Sequence, residues 1–242
     1  AEHFLTGFRG THWLSGSCTQ DYGSFTIMPI TGKLLTNPKD YACKFSHKDE
    51  IAHPDCYEVK MPRYGISTKI TATARCGLLQ FISNRTDSLY LLIRPNSDKG
   101  EASIRIDPNH NEITGYNPAY RVYQGAGQPA GCSGYFVVQI QKKLQNANMG
   151  CFNQEGVISE LGIKNQKNLG AFIGFHIQKG DTILIKVGTS FTSIEEARKN
   201  LNDEVQSWNF NKILHMNRTM WEKALSKINV DGSERDKHIF YT

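Results

Sequence analysis

The sequence predicts a mainly β protein: an antiparallel β-sandwich followed by two C-terminal linker helices. Three observations carry this. From Thr26 to about Thr192, short apolar runs and alternating stretches are separated by polar turns, the pattern of a sandwich or barrel. The last fifty residues change to helical spacing. The chain has 242 residues, 39% apolar and 21% charged, enough to bury roughly 70% of its unfolded surface. The expected division is residues 1–192 for the sandwich and 193–242 for a helical linker.

The strands follow in order. Gly65 to Arg75 places Ile66, Thr68, Ile70, Ala72 and Ala74 on one face and Ser67, Lys69, Thr71, Thr73 and Arg75 on the other. That period of two is a half-buried strand. Leu78 to Ile82 and Leu89 to Ile93 are apolar runs with a turn, Asn84 to Asp87, between them. Ala102, Ile104 and Ile106 alternate with Ser103, Arg105 and Asp107, and Tyr135 to Ile140 is a further strand. Ala171 to Ile177 and Ile183 to Val187 flank Gly180-Asp181, which predicts a hairpin. Gln141 to Gln166, rich in Asn, Gln, Lys and Gly, is expected to be a long surface excursion.

Ser193-Ile194-Glu195-Glu196 is a capping box, followed by Ile194, Ala197, Leu201 and Val205 at helical spacing. After a break near Ser207-Trp208-Asn209, a second helix carries Ile213, Leu214, Met220, Trp221, Leu225 and Ile228 and ends near Asp231-Gly232. Its apolar stripe is expected to pack back on the sandwich or to mediate self-association.

Several classes are disfavoured. The net charge of +5 is scattered rather than clustered, unlike a nucleic-acid stripe. No run approaches the ~18 apolar residues of a membrane span. The chain opens Ala1-Glu2-His3-Phe4 without an initiator methionine or a signal peptide, as expected of a processed or trimmed piece. Six cysteines occur without a C-x-x-C pair, and free, partly buried thiols are expected. His47-Lys48-Asp49-Glu50 with His53 lacks metalloprotease spacing and suits a solvated loop. Asp107 to Glu112 lacks the glycine and distant glutamate of a calcium loop and suits a strand-end turn. No metal site is therefore expected in this chain. Asn84-Arg85-Thr86 and Asn217-Arg218-Thr219 are glycosylation sequons, which matter in a chain secreted from a eukaryotic cell.

The most informative segment runs from Gly7 to Gly23. It places four glycines among Arg9, His12, Trp13, Gln20, Asp21 and several hydroxyls. Glycines let the backbone turn and approach a ligand. Convergent polar groups beside a flat indole suit a sugar, whose hydroxyls need hydrogen bonds and whose C–H face stacks on an aromatic ring. A tight loop around a core tryptophan is the other reading of the same composition. Tyr116 to Tyr120 and Tyr123 to Gly131 form a second glycine- and amide-rich constellation, either a plain hairpin or a loop facing the same site.

Gly7-Phe8-Arg9-Gly10-Thr11-His12-Trp13-Leu14-Ser15-Gly16, Gln20-Asp21-Tyr22-Gly23 and Met28-Pro29 resemble the N-terminal region of glycoside hydrolase family 92. The resemblance continues through Phe45-Ser46-His47, Glu50, Tyr57, Val59 and Gly65-Ile66, then Thr71 to Arg75, Ser133 to Phe136 and Ser190 to Ser193. It ends in Ala197-Arg198, Asn200-Leu201 and Phe240-Tyr241-Thr242.

The resemblance implies an inverting, calcium-dependent exo-α-mannosidase whose sandwich joins an (α/α)6 barrel through helices. It implies α-mannoside glycans and the barrel as partners, and a periplasmic or secreted location. In the family the acid, the base and most calcium ligands belong to the barrel. This chain is expected to begin after the family's first strand and to stop where the barrel begins, so no catalytic residue is expected in it. The opening segment would supply substrate contacts: Trp13 by stacking, and His12, Arg9, Gln20 and Asp21 by hydrogen bonding. A stand-alone carbohydrate-binding module and a purely structural interdomain module remain as alternatives. The gene sequence beyond Thr242 and calorimetry with mannose separate the three.

Overall fold

The computed structural model describes residues 3–9, 25–96, 100–120, 128–145 and 147–241. Two antiparallel sheets form a sandwich. The larger runs β15 (Gly162–Lys164), β10 (Ser103–Asp107), β11 (Glu112–Tyr120), β12 (Pro129–Ile140), β17 (Thr182–Ser190), β8 (Cys76–Ser83), β7 (Ile66–Ala72), β6 (Cys56–Met61), β5 (Glu50–His53). The smaller runs β14 (Val157–Ile158), β13 (Asn148–Phe152), β16 (Gly170–Ile177), β9 (Asp87–Pro95), β3 (Phe25–Thr31), β2 (Phe8–Arg9). A separate ladder pairs β1 (His3–Leu5) with β4 (Cys43–Phe45).

Alternation explains the core. Ile104 and Ile106 of β10 are buried while Arg105 between them is exposed. Rings from opposite sheets meet in the middle: Phe25 and Phe136 at 5.2 Å, Phe8 and Phe81 at 6.2 Å. In β7, alternation holds through Ile66 and Thr68, but Thr71, on the opposite face, is also buried. A second apolar cluster explains this, because helices cover the outer face of the larger sheet.

Those helices are α2 (Ile194–Glu204) and α3 (Phe210–Leu225); the short α1 (Pro38–Tyr41) lies within the β region. The serine half of the predicted capping box forms: Ser193 Oγ accepts from the Glu196 amide at 3.0 Å. Ala197, Leu201, Val205, Phe210 and Ile213 bury against Leu78, Val137 and Leu184 of the sheet.

Four expectations need correction. The described residues form three C-terminal helices, not two. α3 ends at Leu225, and α4 (Glu234–Tyr241) follows the predicted Asp231-Gly232 stop. Ser233 starts α4: its hydroxyl accepts from the Asp236 amide at 3.2 Å, and Asp236 accepts from the Ser233 amide at 3.3 Å. The stripe of Trp221, Leu225 and Ile228 does not pack back on the sandwich. No residue of α3 after Asn217 is buried, because the helix runs past the sheet.

The Gly180-Asp181 turn does not make a hairpin, since β16 pairs with β9 and β17 with β12 and β8. It crosses between sheets beside the similar crossing from β8 to β9. Gly180 (φ +93°) donates to Ser83 O at 2.8 Å, and Ser83 donates to Asp181 O at 2.9 Å. Finally, Gln141 to Gln166 is not a plain surface excursion. It contains β13, β14 and β15, with Cys151, Phe152 and Leu144 buried. Strands of two to five residues were too short to show a period.

Candidate functional site at one end of the sandwich

β2 and β3 are paired, with Arg9 opposite Thr26, and residues 10–24 connect them. His12, Trp13, Gln20 and Asp21 therefore lie outside the described residues. Arg9 is the candidate the structure places: it is exposed at the end of β2.

The described flanks of the second glycine-rich constellation lie at the same end of the sandwich. Tyr116 to Tyr120 belong to β11, whose Tyr120 pairs with Pro129 of β12 across residues 121–127, which lie outside the described part. Asn117, 2% exposed, donates from Nδ2 to Asn96 O at 3.1 Å, just beyond β9. Phe25 at the start of β3 meets Phe136 of β12. Ser190 ends β17 opposite Tyr135, three residues before the Ser193 cap of α2. The flanks of both constellations and the start of the helical segment thus share one end of the fold.

A cleft of about 490 Å³ opens beside Arg9. Thr6, Gly7, Arg9, Thr26, Tyr41, Arg94, Asn96 and Asn168 are among its lining residues. Gly7 is needed there: its φ is +142°, and a Cβ would strike the Thr26 side chain. Thr26 pairs with both Arg9 and Arg94, so one cross-strand row carries two guanidinium groups. Arg94 donates to Tyr41 Oη at 3.2 Å and to Asn168 Oδ1 at 3.4 Å. Sequence reasoning missed Arg94 and Asn96. The available signal was an arginine directly after the apolar run Leu89 to Ile93.

Polar latches hold the helices to the sandwich. Glu112, 5% exposed, accepts from Arg198 Nε and from Gln139 Nε2, both at 2.9 Å. Asp55 accepts from Arg218 Nε at 2.7 Å, and Asn217 donates to Asp55 O at 3.0 Å. Asn217 is thus buried and bonded, whereas the other sequon asparagine, Asn84, is exposed. Glu204 accepts from Thr73 Oγ1 at 2.5 Å and from the Arg75 amide and guanidinium. Burial opposes ionisation of Glu204, but these bonds outweigh it and hold the carboxyl below its ordinary 4.5.

A carboxyl depressed in the fold stabilises it above the unfolded pKa, and the gain is lost as pH falls through the folded value. We expect Glu204→Gln to lower the melting temperature at neutral pH. The gap from wild type should close as the pH drops below 4.5. Melting curves from pH 3 to 7 (roughly the range over which a carboxylate titrates) check this.

The remaining chemistry is structural. Burial pushes the Cys76 and Cys151 thiols up to about 12, which suits inert core thiols. Cys43 and Cys56 are also free and buried, Cys132 is free and exposed, and Cys18 lies outside the described residues. His47 pairs with Glu50 in a solvated turn. Asp107 accepts from the Asn109 and His110 amides in a strand-end turn. Among the described residues, no three His, Cys, Asp or Glu side chains converge to hold a metal. No described helix is long and apolar enough to cross a membrane.

Comparison with known proteins matches this fold. The sequence model of the glycosyl hydrolase family 92 N-terminal domain matches residues 1–190, and that of the family 92 catalytic domain matches residues 196–242. The chain is similar to the family GH92 α-mannosidase BT3965 from Bacteroides thetaiotaomicron. Identity is 28% and the TM-score 0.87, covering 99% of this chain and 33% of that one. It is also similar to the inverting family GH92 mannosidase BT2199 from Bacteroides thetaiotaomicron VPI-5482. There identity is 25% and the TM-score 0.81, covering 95% of this chain and 30% of that one. A bacterial glucoamylase complexed with acarbose shares the fold, at 10% identity and a TM-score of 0.54, covering 86% of this chain and 33% of that one. No curated protein sequence matches. The chain spans about a third of the length of these mannosidases. A sandwich matched over residues 1–190, running into a helical segment matched by the catalytic-domain model over residues 196–242, makes this chain a member of glycosyl hydrolase family 92.

Proposed function

We propose that this chain is the substrate-contacting sandwich of an inverting, calcium-dependent α-mannosidase that works with the rest of its catalytic domain. The observation that carries the reading is positional. Arg9 closes β2 at the end of the sandwich where β17 hands over to α2, beside the start of the catalytic-domain match. Sugar contacts from the sandwich then face chemistry supplied by the other domain. Trp13 stacks on the sugar, and His12, Arg9, Gln20 and Asp21 hold hydroxyls.

Inverting hydrolysis needs one carboxylic acid for the leaving oxygen and one carboxylate to activate water, roughly 6.5–9.5 Å apart. Both belong to the catalytic domain in this reading, as do most of the calcium ligands. The helical segment 193–242 is the linker toward that domain. The exposed apolar residues Met220, Trp221 and Leu225 of α3 and Ile239 and Phe240 of α4 are the ones that domain covers, since clustered solvent-facing apolar groups mark an interface. The working location is periplasmic or secreted.

The test is turnover of an α-1,2-linked mannobiose followed by proton NMR. The sandwich joined to its catalytic domain is expected to release β-mannose first. Residues 1–242 alone are expected to release none. Mannose binding without turnover by the joined protein would instead favour a carbohydrate-binding module.

A further inference from the structure

We propose that Glu112 and Arg198 are a positioning pair. They fix the angle at which the catalytic domain meets the sandwich, and so act on turnover rather than on stability. This rests on the mannosidase reading and deepens it, since that reading divides one sugar site between two domains.

Three of the described ion pairs join the sandwich to the helices: Glu112 with Arg198, Glu204 with Arg75, and Asp55 with Arg218. Each has one partner within residues 1–190 and the other within 196–242, so each crosses the boundary between the two family domains. Glu112 is the most deeply buried carboxylate of the three. Both its oxygens are engaged. Oε2 accepts from Arg198 Nε and lies 2.9 Å from Nη2, while Oε1 accepts from Gln139 Nε2 at 2.9 Å. Gln139 stands opposite Glu112 on β12, so the carboxylate is tied to the sheet as well as to the helix.

Burying a carboxylate costs free energy that its partner's attraction only partly offsets. An apolar pair of similar volume is often as stable or more so. Net stability therefore does not account for the pair, but direction does. The apolar seat of α2, where Ala197, Leu201 and Val205 meet Leu78, Val137 and Leu184, is non-directional. It tolerates a small slide or turn of the helix. Two guanidinium nitrogens on one fixed carboxylate oxygen do not, and setting a register is the best-attested use of a buried pair. At the far end of α2, Glu204 grips Thr73 and Arg75, so the helix is pinned at both ends across the larger sheet. α2 is also the first helix of the catalytic-domain match. A small turn of it moves every group that domain supplies relative to a sugar held by the sandwich. Misplacement by about 1 Å can cost on the order of 10²-fold in rate.

The experiment is steady-state kinetics on α-1,2-linked mannobiose with the sandwich joined to its catalytic domain, alongside thermal melting. Glu112→Met with Arg198→Met is expected to leave the melting temperature unchanged or raised. Its kcat should fall at least about tenfold, as for a misplaced reacting group, while KM changes less. Arg198→Lys keeps the charge and loses the fork. The Arg198 side chain is 37% exposed, so this variant disturbs no core and carries the test should the double variant fold poorly. It should lower kcat at least about threefold at an unchanged melting temperature, because Arg and Lys are not interchangeable at such a site. Full kcat in the double variant, full kcat in Arg198→Lys, or a loss of kcat that only follows a fall in melting temperature would each overturn the proposal. Any of these alongside normal turnover by the unmodified joined protein would leave the mannosidase reading intact. No turnover by the unmodified joined protein would overturn both.

Discussion

Gly188→Val is expected to destabilise the chain by about 3 kcal/mol or more, lowering its melting temperature by roughly 6–12 °C. Gly188 sits in β17 between Val137 of β12 and Cys76 of β8. α2 crosses directly above it. A Cβ there would be driven into the Ala197 carbonyl oxygen and would lie 2.8 Å from Leu201 Cβ. Neither obstacle can swing aside, because one is backbone and the other is the root of a buried side chain. The helix cannot lift freely either. Asn200 donates to Thr189 O at 2.9 Å, and Arg198 and Glu204 are latched to the sheet on either side. The strain falls on the joint between the two family domains, so faster proteolysis after Ser193 should accompany the lower melting temperature. An unchanged melting temperature would mean that α2 does not dock as closely as the structure places it.

Much of the fold was legible because its signals are local. The alternation in β10, the capping box at Ser193 and the long apolar strands each encode their own structure within a few residues. Pairing between sheets is not local. β16 and β17 look like two arms of a hairpin because Gly180-Asp181 is a good turn. Whether those arms pair or part depends on what lies opposite them, and no short window contains that. The same holds for α3, whose apolar stripe is real but outruns the surface available to it.

The site was legible in a different way. The Gly7 to Gly23 segment stands out by composition, and its order among other motifs identified the family. Arg94 did not stand out, since one arginine after an apolar run resembles any strand end. Its meaning comes from Thr26, Tyr41 and Asn168, which are distant in sequence and meet only in the fold. Trp13 and His12 carry the strongest sequence signal, yet they lie outside the described residues, so their roles rest on chemistry and family.

Trp13 is therefore where the account is tested most directly. In the sandwich joined to its catalytic domain, Trp13→Ala should lower kcat/KM on α-1,2-mannobiose by about tenfold or more, as expected for a lost contact worth roughly 1.4 kcal/mol at the transition state. The melting temperature should change little. An unchanged kcat/KM at full stability would contradict the claim that the opening segment forms one wall of the mannoside pocket.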